Sequence, residues 1–175
     1  ARLFRATGFE VLDLGVEYDD QYLIIEARPS TVPAPGQPFD VEDDLAHLTA
    51  GVARFEDEFA RLKTTWLDRL GSVNESGGRS VIWGSGSKGV SFLTTLGLTD
   101  EIAGAVDINP HRQGYFMPGT GHRILGPDDL VELKPDAVII MNPIYREEIA
   151  ADLKKRGLEP EIFAVDDGIG AGGEA

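Results

Sequence analysis

The sequence predicts an α/β fold in which helices flank a parallel sheet. Three observations support this prediction: strand and helix patterns alternate after residue 78, a glycine-rich turn joins the first of these strands to its helix, and residues 137–141 are apolar throughout. Strands that alternate with helices are joined by right-handed crossovers and therefore lie parallel. We expect a long helix and an N-terminal antiparallel strand pair to precede this sheet.

Residues 1–29 are interpreted as a helix end followed by two antiparallel strands. An apolar, β-rich run extends over 9–16, Asp19 and Asp20 form a turn, and a second run covers 22–25. A lone hairpin is marginal in water, so these strands should belong to a larger sheet. We therefore expect the chain to be a fragment. Prolines at 29, 33, 35 and 38 predict a linker over 30–39.

A long connector helix is predicted over 40–74, with Asp40 as its N-cap and Asp43 in its first turn. Apolar residues recur every three or four positions and form one stripe. The stripe consists of Val41, Leu45, Leu48, Val52, Phe55, Phe59, Leu62 and Trp66. It could pack on its own chain or form a coiled-coil dimer. Three heptads are at the short limit for a coiled coil, which favours the connector.

Residues 75–167 are predicted to form the parallel-sheet domain. Its strands are expected at 80–83, 103–107, 137–141 and 161–165, and its helices at 88–96 and 144–156. The glycine-rich segment 168–175 is predicted to be a flexible tail.

The composition limits the class of protein. The chain has 175 residues, of which 42% are hydrophobic and 26% charged, as in a globular domain of ordinary size. A net charge of -14 disfavours nucleic acid and anionic membrane surfaces as partners. No apolar run approaches the roughly 20 residues of a membrane span. We expect a cytoplasmic protein with no membrane partner.

No metal site is expected either. The chain contains no cysteine, which excludes disulfides and thiolate zinc sites. The three histidines, His47, His111 and His122, have no second ligand at a convincing metal spacing. His111 has no recognisable partner for acid–base chemistry, so we assign no catalytic residue.

The sharpest motif is the G-x-G-x-x-G of residues 84–89, which lies between a predicted strand and its helix. In such Rossmann-like turns the first glycine permits the tight turn, the second lets a diphosphate approach the backbone, and the third lets helix and strand pack closely. The helix N-terminus adds unpaired N–H groups, and Lys88 adds a positive charge. The glycines could instead serve only the turn, but the strand-turn-helix context favours diphosphate binding.

Polar segments follow two further strands. Asp107 comes about 20 residues after Gly86, where dinucleotide folds keep a ribose-binding acid. Loop 107–122 and segment 142–148 follow strand ends, and loops at the carboxyl ends of parallel strands form ligand sites. Asn142 and Tyr145 should face the same cleft if the strand order reverses at the first strand. The candidate binding residues are Gly84, Ser85, Gly86, Ser87, Lys88, Gly89, Asp107, Asn109, His111, Gln113, Gly119, Thr120, Asn142 and Tyr145.

Four segments together resemble the C-terminal domain of the sugar C-methyltransferase family: VIWGSGSKG at 81–89, VDINPHRQG at 106–114, MPGTGH at 117–122 and MNPIYREEI at 141–149. In that family a class I S-adenosylmethionine-dependent methyltransferase domain lies between a small zinc-binding domain and a Rossmann-like C-terminal domain that helps to hold a nucleotide-linked deoxysugar. The resemblance covers about residues 40–165. Residues 3–29 look like the closing helix and antiparallel strands of the methyltransferase domain.

The resemblance implies that the glycine turn and loop 107–120 border the diphosphate and nucleoside of a nucleotide-diphosphate sugar. A deoxyribose lacks the 2′-hydroxyl, so Asp107 could bind a remaining hydroxyl or order the loop. The chain shows neither cysteines for the zinc domain nor an upstream glycine-rich strand-helix unit for S-adenosylmethionine. This fragment should therefore bind no cofactor itself and be catalytically incomplete. Its expected partners are the sugar nucleotide and the missing methyltransferase domain, which would bind S-adenosylmethionine in the parent enzyme.

Two alternatives remain open. The glycine motif with Asp107 is also compatible with an NAD(P)-binding oxidoreductase domain. The long helix is compatible with an interaction module in which the Rossmann-like part is only a scaffold.

Overall fold

The structure is a computed structural model that describes residues 1–19, 21–31 and 38–167. The predicted tail at 168–175 and the linker residues 32–37 lie outside the described residues. The chain divides into two compact units, Ala1–Glu56 and Asp57–Ala175.

The first unit contains the predicted hairpin. A short helix, α1 (Arg2–Ala6), precedes β1 (Phe9–Glu17) and β2 (Tyr22–Pro29), which pair in antiparallel fashion with a bulge between Val11 and Asp13. The second strand is longer than predicted and includes Pro29 at its end, where the missing N–H is tolerated. Val11 is the one hydrophobic residue buried in the described part of this unit.

The long helix α2 (Leu45–Glu75) begins and ends later than predicted. Residues Asp40–Glu42 form a separate 3-10 turn, so Asp40 is not the N-cap of the long helix and Val41 lies outside it. The cause is Glu42, whose carboxylate accepts a hydrogen bond from the Phe39 amide at 2.9 Å and pairs with Arg5 at 2.9 Å.

The second unit contains a five-stranded parallel sheet with helices on both faces, which confirms the predicted α/β class. The strands are β3 (Ser80–Trp83), β4 (Ile102–Val106), β5 (Ile124–Leu125), β6 (Ala137–Ile140) and β7 (Glu161–Ala164), and the helices are α3 (Ser87–Leu96), α4 (Leu130–Leu133) and α5 (Arg146–Lys155). The strand order is β5-β4-β3-β6-β7. The order therefore reverses at β3, as in a mononucleotide-binding fold.

Alternate side chains of β3 supply two cores. Ile82 packs with Trp66, Phe92 and Leu93, so the C-terminal half of α2 and α3 cover one face of the sheet. Val81 and Trp83 pack with residues of β6 and α5 on the other face.

The predicted stripe of α2 has two different environments. Trp66 is buried, and its indole N–H donates to the Val165 carbonyl at 3.1 Å. In the part that belongs to the first unit, the stripe residues are 52–77% exposed. Among the described residues, the buried part of the stripe lies where the helix forms a layer of the second unit.

Candidate functional site

The glycine turn, residues 84–89, joins β3 to α3, and its three glycines have different structural roles. Gly84 has a φ of +124°, and a Cβ on it would lie 3.0 Å from Cβ of Met141. A Cβ on Gly89 would lie 2.3 Å from the Gly84 carbonyl oxygen, so only glycine allows this approach of helix to turn. A Cβ on Gly86 would meet nothing closer than a guanidinium nitrogen of Arg112 at 3.8 Å. The backbone is therefore open at Gly86, the N-cap residue of α3.

The carboxylate of Asp107 is the centre of a hydrogen-bond network at the end of β4. It accepts a short hydrogen bond from the Ser85 hydroxyl and longer ones from the Ser85 amide at 3.3 Å and the Asn109 amide at 2.9 Å. Nη1 of Arg112 lies 3.2 Å from Oδ2. Three of these donors bind Oδ2 and one binds Oδ1, so most of the about four acceptor positions of the carboxylate are used.

These contacts determine the protonation of Asp107. Burial alone would raise the pKa of this carboxyl, but the hydrogen bonds from Ser85, Asn109 and Arg112 together outweigh it. Its pKa is therefore below the usual range of an aspartate, and the group is ionised at neutral pH.

Polar side chains of loop 107–114 bind the loop itself. Oδ1 of Asn109 accepts from the His111 amide at 3.0 Å. Nε2 of Gln113 donates to the Asp107 carbonyl at 2.9 Å. The side chain of His111 is exposed. Asn109 and Gln113 thus order the segment that carries Arg112.

Gly119 and Thr120 belong to a separate part of the loop that packs on α3. A Cβ on Gly119 would lie 3.2 Å from Cγ2 of Thr94. Nδ1 of His122 is 2.8 Å from the Thr120 hydroxyl, and Nε2 is 2.7 Å from the Thr99 carbonyl. A carbonyl can only accept, so Nε2 carries a proton and donates it to the Thr99 carbonyl.

A cavity of about 320 Å³ opens at the carboxyl ends of β3, β4 and β6. It is lined by Trp83, Gly84, Val106, Asp107, Ile108, Ile140, Met141, Asn142, Tyr145, Glu148, Ile149 and Asp152. Of the candidate binding residues, the structure brings Gly84, Asp107, Asn142 and Tyr145 together here. Their convergence follows from the reversal of strand order, which places β4 and β6 on either side of β3.

Arg112 and Glu148 are two polar residues that were not among the candidate binding residues. The guanidinium of Arg112 is 50% exposed and lies 3.5 Å from the Ser85 hydroxyl, directly beside the glycine turn. Glu148 lies in the first turn of α5. Arg112 could have been identified from the sequence, because it is the single arginine of loop 107–122. Glu148 could not have been identified in this way, because the helix dipole favours acidic residues at any helix start.

Lys88 occupies a different place from Arg112. It lines a second cavity, of about 260 Å³, together with residues of α2 and α3 such as Lys63, Trp66 and Phe92. Ser87 and Lys88 are both exposed. Of the two cations near the start of α3, Arg112 is therefore the one that contacts the glycine turn.

Two kinds of feature are absent from the described residues. Within 1–19, 21–31 and 38–167, no group of three or more His, Asp or Glu side chains could hold a metal ion. In the same part of the chain, no helix combines the length and the apolar character that a bilayer crossing needs.

Comparison with known proteins connects this geometry to a family. No curated protein matches the chain. A chain from the crystal structure of RSP, a Rex-family repressor, is 16% identical with a TM-score of 0.35, and the match covers 50% of this chain and 52% of that one. This chain thus spans about half the length of the repressor. A family model described as the C-methyltransferase C-terminal domain matches residues 40–159, which include the glycine turn, loop 107–122 and segment 142–148. The resemblance found in the sequence is thereby confirmed, and the chain belongs to the C-methyltransferase C-terminal domain family.

Proposed function

We propose that this domain binds the nucleotide-diphosphate part of a nucleotide sugar on behalf of an S-adenosylmethionine-dependent C-methyltransferase. One observation carries the proposal: Asp107 both lines the cavity and binds Arg112, so a largely apolar pocket and a half-exposed cation adjoin at the glycine turn. A nucleotide sugar has the matching polarity, with anionic phosphates between two uncharged ring systems.

The diphosphate is proposed to bind between Arg112 and the start of α3. Backbone N–H groups at a helix N-terminus favour anions, and the open backbone at Gly86 leaves room for one. A guanidinium has five N–H donors, and the hydrogen bonds of Arg112 to Asp107 and Ser85 both use Nη1. Further donors thus remain for phosphate oxygens.

The state of Asp107 supports a nucleotide sugar over NAD(P). In dinucleotide folds the acid at this position binds the ribose hydroxyls. Here the donors of Ser85 and Arg112 bind Oδ2 and the Asn109 amide binds Oδ1, which leaves one acceptor position on Oδ1. Binding of both ribose hydroxyls would require this network to rearrange, so we assign Asp107 to ordering the loop and the arginine.

We further propose that methyl transfer is completed outside the described residues. S-adenosylmethionine and the groups that move protons are then supplied by a methyltransferase domain, the proposed partner of this one. On this proposal the 175-residue chain alone transfers no methyl group. Methylation of a thymidine-diphosphate sugar by the purified chain, measured with labelled S-adenosylmethionine, would contradict that.

The binding proposal is tested by titration calorimetry with a thymidine-diphosphate sugar. Arg112→Ala should weaken binding on the order of tenfold or more, because a charge-assisted hydrogen bond is lost. Gly86→Ala should also weaken it, since a methyl group tolerated by the free protein would occupy the space of the phosphate. Lys88→Ala removes the same charge near the same helix end and should have the smaller effect.

Unchanged affinity in both Arg112→Ala and Gly86→Ala would remove the glycine turn from the binding site. Tighter binding of NAD than of the sugar nucleotide would favour the oxidoreductase alternative instead. Thermal unfolding of each variant provides the control that the fold is retained.

A further inference from the structure

The cavity at the ends of β3, β4 and β6 has an apolar floor and a mouth formed by exposed side chains. Trp83, Val106 and Ile140 are buried beneath it. At the mouth, Ile108 is 72% exposed and Tyr145 is 40% exposed. Apolar and aromatic walls with few polar groups are typical of sites that enclose a ring.

The charges around this cavity exclude a phosphate. Its charged lining residues are Asp107, Glu148 and Asp152, and none of its lining residues is a lysine, an arginine or a histidine. Asp107 is bound by Arg112, and Asp152 is bound by Arg156. Among the described residues, Glu148 has no hydrogen-bond or ion-pair partner, so its carboxylate is left to accept a hydrogen bond from a ligand. A carboxylate only accepts, so the ligand group must be a donor.

The size of the cavity limits how much of a nucleotide sugar can enter. About 320 Å³ lies at the lower end of the roughly 300–1,000 Å³ of ligand pockets, which suits one ring system. Under the proposed function the sugar must stay accessible to a methyl donor bound outside this domain. The ring that can be enclosed here is therefore the nucleobase.

We propose that this cavity binds the nucleobase and that Glu148 accepts a hydrogen bond from an N–H group of the base. This inference rests on the proposed function, which places the diphosphate at Arg112. Asp107 lies between the proposed base site and the proposed diphosphate site, since it lines the cavity and accepts a hydrogen bond from Arg112. Ile108 and Tyr145 then border the base at the mouth.

The test compares thymidine diphosphate with inorganic pyrophosphate, which lacks the base, by calorimetry on the 175-residue chain. The nucleotide should bind at least about tenfold more tightly than pyrophosphate, because only the nucleotide fills the cavity. Glu148→Gln should reduce this ratio several-fold, as expected for loss of a hydrogen bond to a charged acceptor. Glu147→Gln removes the same charge from the same helical turn but does not line the cavity, and should leave the ratio unchanged.

A second pair of variants tests the apolar wall. Ile108→Ser should lower the ratio, because the base would lose an apolar contact. Ile144→Ser is the matched control, since Ile144 is also exposed and does not line the cavity. All four side chains are exposed, so the fold should tolerate their replacement.

The outcomes separate this inference from the function on which it rests. Equal affinity for nucleotide and pyrophosphate, or equal effects of the two glutamate variants on the ratio, would overturn base binding and leave diphosphate binding intact. Binding of neither ligand would overturn both.

Discussion

The glycine turn can form only because Gly89 has no Cβ. Because a Cβ there would come within 2.3 Å of the Gly84 carbonyl oxygen, Gly89→Ala must push α3 away from β3. We expect a loss of about 1–3 kcal/mol in the free energy of unfolding, measured by urea denaturation.

Gly71→Ala is the matched control for this prediction. A Cβ on Gly71 has nothing within 4 Å, and the residue lies inside α2. The change should stabilise the protein by about 0.5–1 kcal/mol, because alanine is the better helix former. A Gly89→Ala variant as stable as wild type would show that the turn can relax.

Asp107 is expected to make stability depend on pH. Its pKa is lowered in the folded state, so its contribution is complete above the unfolded-state value of about 3.9 and is lost as the pH falls through the lower folded-state pKa. We therefore expect the difference in unfolding free energy between wild type and Asp107→Asn to be largest at neutral pH and to decrease below about pH 4. A difference that stays constant down to the acid limit would show that the folded and unfolded pKa values are equal.

The glycines were more predictable than the polar side chains around them. Steric roles of Gly84 and Gly89 follow from the strand-turn-helix context alone, because backbone geometry is local. The partners of Asp107 depend on how loop 107–114 folds back on Ser85. Sequence spacing does not predict the conformation of this loop. For the same reason the pattern could not show that Arg112 contacts Asp107 and Ser85.

Trp66 is one of the buried residues that attach helix α2 to the sheet of the second unit. Its ring packs edge-on against Phe92 with centroids 5.2 Å apart, and its N–H binds the Val165 carbonyl after β7. The Arg69 guanidinium lies 4.9 Å from the centroid of the Trp66 ring. The helix thus anchors the chain segment that follows β7.

Removal of this anchor should be costly. Trp66→Ala should lower the free energy of unfolding by about 3–5 kcal/mol, as for other buried large-to-small changes. Leu67→Ala, one residue further along and 39% exposed, should cost less than about 1 kcal/mol. Chemical denaturation of both variants compares them directly, and similar losses would mean that the Trp66 side chain is not the anchor.

The long helix α2 was predicted from its periodicity, whereas the short elements β5 and α4 were missed. The two residues of β5 and the four of α4 are too few to show any periodicity. The true start of α2 was missed because Glu42 is held by Arg5, a contact between residues distant in sequence. Local capping signals at Asp40 could not anticipate that contact.

The two units differ in how much apolar surface they bury, which predicts different local stabilities. The described part of the first unit buries one hydrophobic residue, Val11, whereas the second unit contains both core clusters. Amides of β1 and β2 should therefore exchange with deuterated water faster than those of β3 and β6, as measured by mass spectrometry. Equal protection in the two sheets would contradict this prediction.

The edges of the two sheets have opposite consequences for self-assembly. In the parallel sheet, β5 forms one edge and is only two residues long, which leaves little backbone to template another chain. The strands of the hairpin are nine and eight residues long, and in the described part of the chain each has an edge that pairs with no other strand. Leu23, 68% exposed, adds apolar surface to that template. When the chain is purified at high concentration, fibril-like strand addition should therefore start at the hairpin rather than at β5.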